Sequence, residues 1–151
     1  MKELKNLIAD SARREAIVKD CAQLIDTEVQ SKSGLGGLAV RAAYAVVKAF
    51  KPRMVEDSVD ALLGEFTVEL QPLYARFQDE GSQGTLEAYF GKPRAGEVAE
   101  KLLGITDRRA ERSSHKTIAK TYFKLRPKGK EHVEQAAPGI GRILDKHLAA
   151  I

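Results

Sequence analysis

The chain has 151 residues, 43% hydrophobic and 30% charged, with a formal net charge of +4. That is enough apolar material for one core in a single domain over residues 1–151, and it excludes wholesale disorder. One cysteine excludes an internal disulfide and a cysteine zinc site, and apolar runs interrupted by Arg41 and Lys48 exclude a membrane span.

Almost every segment repeats its apolar residues at the helical period. Leu4, Leu7 and Ile8 open the pattern, and Glu3, Asp10 and Arg13 argue against a secretory signal. Asp10 or Ser11 caps a second helix with Ile17, Cys21, Leu24, Ile25 and Val29 on one face. Ser31, Ser33 and Gly34 end it. A helix over 35–51 follows, with Leu38, Ala42, Val46, Val47 and Phe50 as its apolar face, and its many alanines predict close packing inside the domain. Pro52 stops it. Val55, Val59, Leu62, Leu63, Phe66 and Leu70 continue the pattern, and Pro72 kinks or restarts it before Leu73, Tyr74 and Phe77. Gly81 to Gly84 reads as a loop.

In the second half, Thr85 caps a short helix through Phe90, and Val98, Leu102 and Ile105 mark the next. Ser113 and Ser114 are cap candidates before Ile118, Tyr122 and Leu125. Pro127 and Pro138 punctuate the last stretch, closed by Ile140, Ile143, Leu144 and Leu148. No segment alternates cleanly at the strand period. The expectation is an all-α, multi-helical bundle of about seven or eight helices.

A proline between two cations, followed by glutamate, recurs at Lys51-Pro52-Arg53, Lys92-Pro93-Arg94 and Arg126-Pro127-Lys128. A cation suits the negative end of one helix, and proline suits the first turn of the next. The pattern predicts three helix–helix joints, with a degenerate α-solenoid as the alternative architecture.

Catalytic and metal chemistry is not legible, and no cofactor is implied. His115, His132 and His147 fall in different segments without a metal-binding spacing, and each reads as a surface or satisfied histidine. Cys21 reads as a small core hydrophobe. Asp57 with Asp60, and Glu65 with Glu69, read as solvated acidic faces. Gly34, Gly36 and Gly37 precede a helix, where free N–H groups attract anions. Their spacing matches no phosphate-loop motif, so a tight turn into a buried helix is the expectation and an anion site the alternative.

Charge is distributed unevenly. Residues 101–130 hold ten cations against Asp107 and Glu111, a net +8, which leaves −4 for the rest of the chain. Arg108, Arg112, Lys116, Lys120, Lys124 and Lys128 recur every four residues, joined by Arg109 and Arg126. On one helix, Lys116, Lys120 and Lys124 form a ridge, with Ile118, Tyr122 and Leu125 facing away. This is either a solvated face or a weak, sequence-independent polyanion surface.

The run Ser31-Lys32-Ser33-Gly34-Leu35-Gly36-Gly37-Leu38-Ala39-Val40 leads into Ala42-Ala43-Tyr44 and Lys51-Pro52. With Tyr122, Lys124-Leu125-Arg126-Pro127 and the tail Gly141-Arg142-Ile143-Leu144-Asp145-Lys146, it resembles a family of small bacterial proteins classed as a domain of unknown function. The resemblance implies a cytoplasmic helical protein, with no assigned activity and no site residues to carry over. A non-enzymatic interaction module, docking a protein partner or a second copy, is the expected function. Nucleic-acid binding through the basic residues and small-molecule binding between helices are the alternatives. A membrane-surface role is disfavoured.

Overall fold

The computed structural model of the protein describes residues 3–32, 34–80 and 84–151, without the side chain of Leu35. Among these residues the chain forms six α-helices, one short 3-10 helix and no strand. Ser33 and Gly81, named above at two boundaries, lie outside the described residues.

Leu4–Ile8 is the 3-10 helix. Leu4 and Leu7 are fully buried, and the Leu4 amide donates to Gln71 Oε1 at 2.8 Å. Helix α1 is Ser11–Gln30, and the Asp10 carboxylate caps it by accepting from the Arg13 amide at 2.8 Å. Helix α2 is Gly34–Phe50 and α3 is Met54–Asp79, which runs through Pro72 without a break. Helix α4 is the single turn Leu86–Tyr89, capped by Thr85, whose hydroxyl accepts from the Ala88 amide at 3.2 Å. Helix α5 is Ala95–Glu111, and α6 is Lys116–Ala149.

The core is one contiguous cluster. Ile17 and Val18 of α1 meet Val59, Leu63, Leu70, Leu73 and Phe77 of α3, Leu86 and Phe90 around α4, and Val98 of α5. Helix α6 packs on α1, α4 and α5, so the last element touches the first. That overturns the α-solenoid alternative, in which a unit contacts only its sequence neighbours.

The structure departs from the sequence expectations at several helix boundaries. Six α-helices replace seven or eight, because α6 continues through both Pro127 and Pro138. Proline in a helix interior costs about 3 kcal/mol, which packing on three other helices offsets. The first two proline joints separate α2 from α3 and α4 from α5, but Arg126-Pro127-Lys128 lies inside α6. His115, rather than Ser113 or Ser114, holds the N-cap position of α6, while Ser113 Oγ accepts from the His115 amide at 3.1 Å.

Helix α2 departs furthest from expectation. Its alanines do not pack inside the domain, for its described side chains are exposed or half-exposed. Only Gly37 is buried, where a Cβ would lie 2.6 Å from the carbonyl carbon of Lys32. This contact, with the Arg41 guanidinium donating to the Lys32 carbonyl, folds α2 back over the end of α1.

Helix α4 is clamped to α6 by two residues one turn apart. At Gly141 the α6 backbone runs so close to α4 that a Cβ would sit 2.4 Å from the Leu86 carbonyl oxygen. Asp145 then accepts from the Leu86 and Glu87 amides at 2.9 and 3.0 Å, satisfying two donors of the α4 N-terminus.

Candidate functional site

The basic residues of 101–130 divide into two groups. Arg108 and Arg109, at the end of α5, reach across to α3 and pair with Glu69 at 2.9 Å and Glu65 at 2.6 Å. Glu65 and Glu69 are therefore bridging partners of α5 rather than a solvated acidic face. Arg126 donates from Nε to Asp107 at 2.8 Å and from Nη2 to Glu100 at 3.0 Å. Lys130 adds a second contact to Glu100 at 2.9 Å. Tyr122 donates its hydroxyl proton to Asp107 at 2.6 Å, so it faces α5 and away from the lysines, as its spacing predicts.

The second group is a ridge on the exposed side of α6. Lys116, Lys120, Lys124 and Lys128 are exposed and, among the described residues, have no carboxylate within 4.0 Å. Arg112 caps the end of α5 and is exposed. The four-residue rhythm is thus interrupted between the two helices, and Arg108, Arg109 and Arg126 are already neutralised.

The Arg126 cluster makes stability depend on acid. Hydrogen bonds from Arg126 and then Lys130 hold the Glu100 carboxyl down to about 2, and Arg126 likewise holds Asp107 below the ordinary carboxylate range. At Asp20, burial opposes the charge, but hydrogen bonds from His147 at 2.7 Å and Lys146 at 3.0 Å outweigh it and lower the carboxyl. All three carboxyls bind protons more weakly folded than unfolded. Their contribution is present above the unfolded carboxyl range and is lost as pH falls through that range toward about 2. Urea midpoints measured between neutral pH and that limit are expected to fall with acid, and Arg126→Gln to flatten part of the slope. An unchanged slope in the variant would show that the cluster does not couple to folding.

Gly34, Gly36 and Gly37 do form a tight entry into a helix, with Gly34 at φ 75°. The helix they enter is exposed rather than buried, and Gly37 is occupied by its contact with Lys32.

A large concave feature opens between the helices. A cavity of about 650 Å³ runs between α1, α3, α5 and α6, with α2 along one side. Its walls include Leu24 and Ile25 of α1, Leu62 and Phe66 of α3, Leu102 of α5 and Ile140 of α6. Val40 and Val47 come from α2, and Met54 from the start of α3. Cys21 faces the same space. It packs against the core as expected, and burial pushes its thiol up to about 12, with the neighbouring Asp20 adding to the rise.

Few polar side chains reach this cavity. They are Glu28, Lys32, Ser58, Thr67, Thr106 and His132. Lys32 donates to Gln135 Oε1 at 2.6 Å, one helical turn from His132, and lies 3.7 Å from Glu28. His132 Nδ1 is buried and has no hydrogen-bond partner. His132 is therefore neither the surface nor the satisfied histidine its spacing suggests, and Glu28 and Lys32 do not stand out in the sequence. A signal was present: Leu24, Glu28 and Lys32 share one face of the α1 segment, so the apolar stripe ends in a charged pair. Of the other histidines, His147 is buried against Asp20, a satisfied histidine, and His115 is exposed. No group of His, Cys, Asp and Glu able to hold a metal occurs among the described residues.

The fold and cavity define an all-α, multi-helical protein with an apolar interior space. The chain belongs to a family of unknown function (DUF6918), whose sequence model matches residues 4–148. No curated protein and no solved structure matches the chain. No helix among the described residues is long and apolar enough to cross a membrane.

Proposed function

We propose that this protein binds an apolar small molecule between its helices, a long-chain amphiphile with its body in the central cavity. The cavity itself carries the reading. Its volume of about 650 Å³ lies within the range of roughly 300–1,000 Å³ typical of ligand sites. Its lining is almost wholly apolar, from Leu7 and Ile17 to Phe66 and Ile140, so an apolar chain there would displace water that few groups can hydrogen-bond. The polar head has a place to go, since Lys32 and His132, whose buried Nδ1 has no partner, are among the lining residues.

In this reading the protein is a binder and not a catalyst. The proposal includes the reducing cytoplasm of a bacterial cell, supported by the single free thiol and the family resemblance. Polyanion binding is a second reading. The exposed ridge Lys116, Lys120, Lys124 and Lys128 supports it, with fewer cations than the sequence suggests.

Thermal unfolding with a graded series of straight-chain alcohols and carboxylates tests the proposal. A ligand at 100 times its Kd stabilises by about 2.7 kcal/mol, which raises Tm by roughly 5–10 °C in a chain of this size. The shift should grow with chain length and then cease when the cavity is full. Ala136→Phe on α6 and Ser58→Leu on α3 should weaken binding at least about tenfold by filling the space. If no member of the series moves Tm, the proposal fails.

A further inference from the structure

The polar side chains of α2 all point the wrong way for a surface helix. Arg41 donates to the Lys32 carbonyl, and Lys48 reaches Asp26 at 3.3 Å while lying 5.4 Å above the Tyr44 ring. These three are its only charged or aromatic polar residues. The opposite face carries Leu38, Ala39, Ala42, Ala43, Ala45, Val46, Ala49 and Phe50, all exposed, with Val46 at 64% and Phe50 at 86%. An apolar stripe facing water across a whole helix marks an interaction surface.

Two observations select the occupant. The first is continuity. Val40 and Val47 of α2, with Met54 at the start of α3, line the cavity and are also exposed, so the outer stripe and the cavity meet along one edge of α2 and its junction with α3. The second is extent. A helix of 17 residues is about 25 Å long and 10 Å across, a footprint on the order of 250 Å². A stable protein–protein interface needs about 800 Å² from each partner. A lipid surface has no such threshold, because it accepts a single helix lying in the headgroup plane. Lys51 follows Phe50 directly and is exposed, able to reach headgroup phosphates while the apolar side chains enter below; Arg53, two residues on, is also exposed, 3.8 Å from Asp57.

We propose that the outward face of α2 docks on a lipid surface, and that the edge bearing Val40, Val47 and Met54 is where an amphiphile passes between bilayer and cavity. The passage rests on the ligand-binding reading, and the docking does not. Vesicle flotation separates them, using phosphatidylcholine vesicles with and without a minority of phosphatidylglycerol. The wild type should float with the vesicles, more strongly with the anionic lipid. Val46→Glu with Phe50→Glu should reduce flotation at least tenfold. Neither side chain lines the cavity, so the variant should keep its helical circular dichroism and its amphiphile-induced rise in Tm. A wild type that stays in the soluble fraction with both vesicles overturns the docking. So does a dimer seen by sedimentation, dissolved by the same two substitutions, without any flotation. A floating wild type that shows no Tm response to amphiphiles would keep the docking and overturn the passage.

Discussion

Gly141→Ala is expected to destabilise the protein by about 3 kcal/mol, lowering Tm by roughly 6–12 °C. The added methyl would meet the Leu86 carbonyl oxygen at 2.4 Å, its carbonyl carbon at 2.5 Å and the Glu87 nitrogen at 2.7 Å. All three are backbone atoms, so no rotamer change relieves the clash. Helix α4 would have to retreat, which draws the fully buried Leu86 and Phe90 out of the core and pulls two amides from Asp145. Two other glycines of α6 serve as internal comparisons. Gly139→Ala meets the Cδ1 methyl of Leu24 at 2.5 Å, the end of a side chain that can rotate, so its cost should be smaller. Gly129→Ala meets nothing within 4 Å and should stabilise by up to about 1 kcal/mol through helix propensity. Urea midpoints of the three variants should therefore rank 129 above 139 above 141. A Gly141→Ala protein as stable as the wild type would mean that α4 is not clamped to α6 as described.

The sequence was informative where a local rule acts alone. The stripe Val59, Leu63, Leu70 and Leu73 announces α3, and Asp10 and Thr85 cap the helices they precede, because period and capping are properties of a few neighbouring residues. It failed where a partner far along the chain decides. Arg108, Arg109 and Arg126 look like free cations until carboxylates 39, 44 and 26 residues away are brought against them. Pro127 and Pro138 look like stops because proline costs a lone helix its continuity, a penalty that tertiary packing outweighs here. Periodicity also revealed that the 35–51 segment has an apolar face. It did not say that the face points outward, since polarity pattern and burial are different quantities. The cavity is a shape between four helices, and no string of residues states a volume.

Cys21 is expected to react with thiol reagents far more slowly in the native protein than in urea. Only the thiolate attacks, and burial beside the Asp20 charge moves this thiol from an ordinary 9.0 to about 12. At any pH below the ordinary value, three units lower the thiolate population about a thousandfold, and the greater nucleophilicity of the more basic thiolate returns part of that, so the native rate should be lower by roughly 30- to 60-fold. The pH profile gives the sharper signature. The unfolded chain should level off as pH passes its ordinary value, while the native rate keeps climbing toward about 12. The same displacement bears on stability. A group whose pKa is raised by folding contributes fully below its unfolded value, and that contribution is lost as pH rises from there through about 12. Since Cys21 faces the cavity, a bound amphiphile should slow labelling further, whereas added DNA should not. Native labelling within about tenfold of the urea rate would show a thiol open to water, and would remove the apolar wall on which the ligand-binding reading depends.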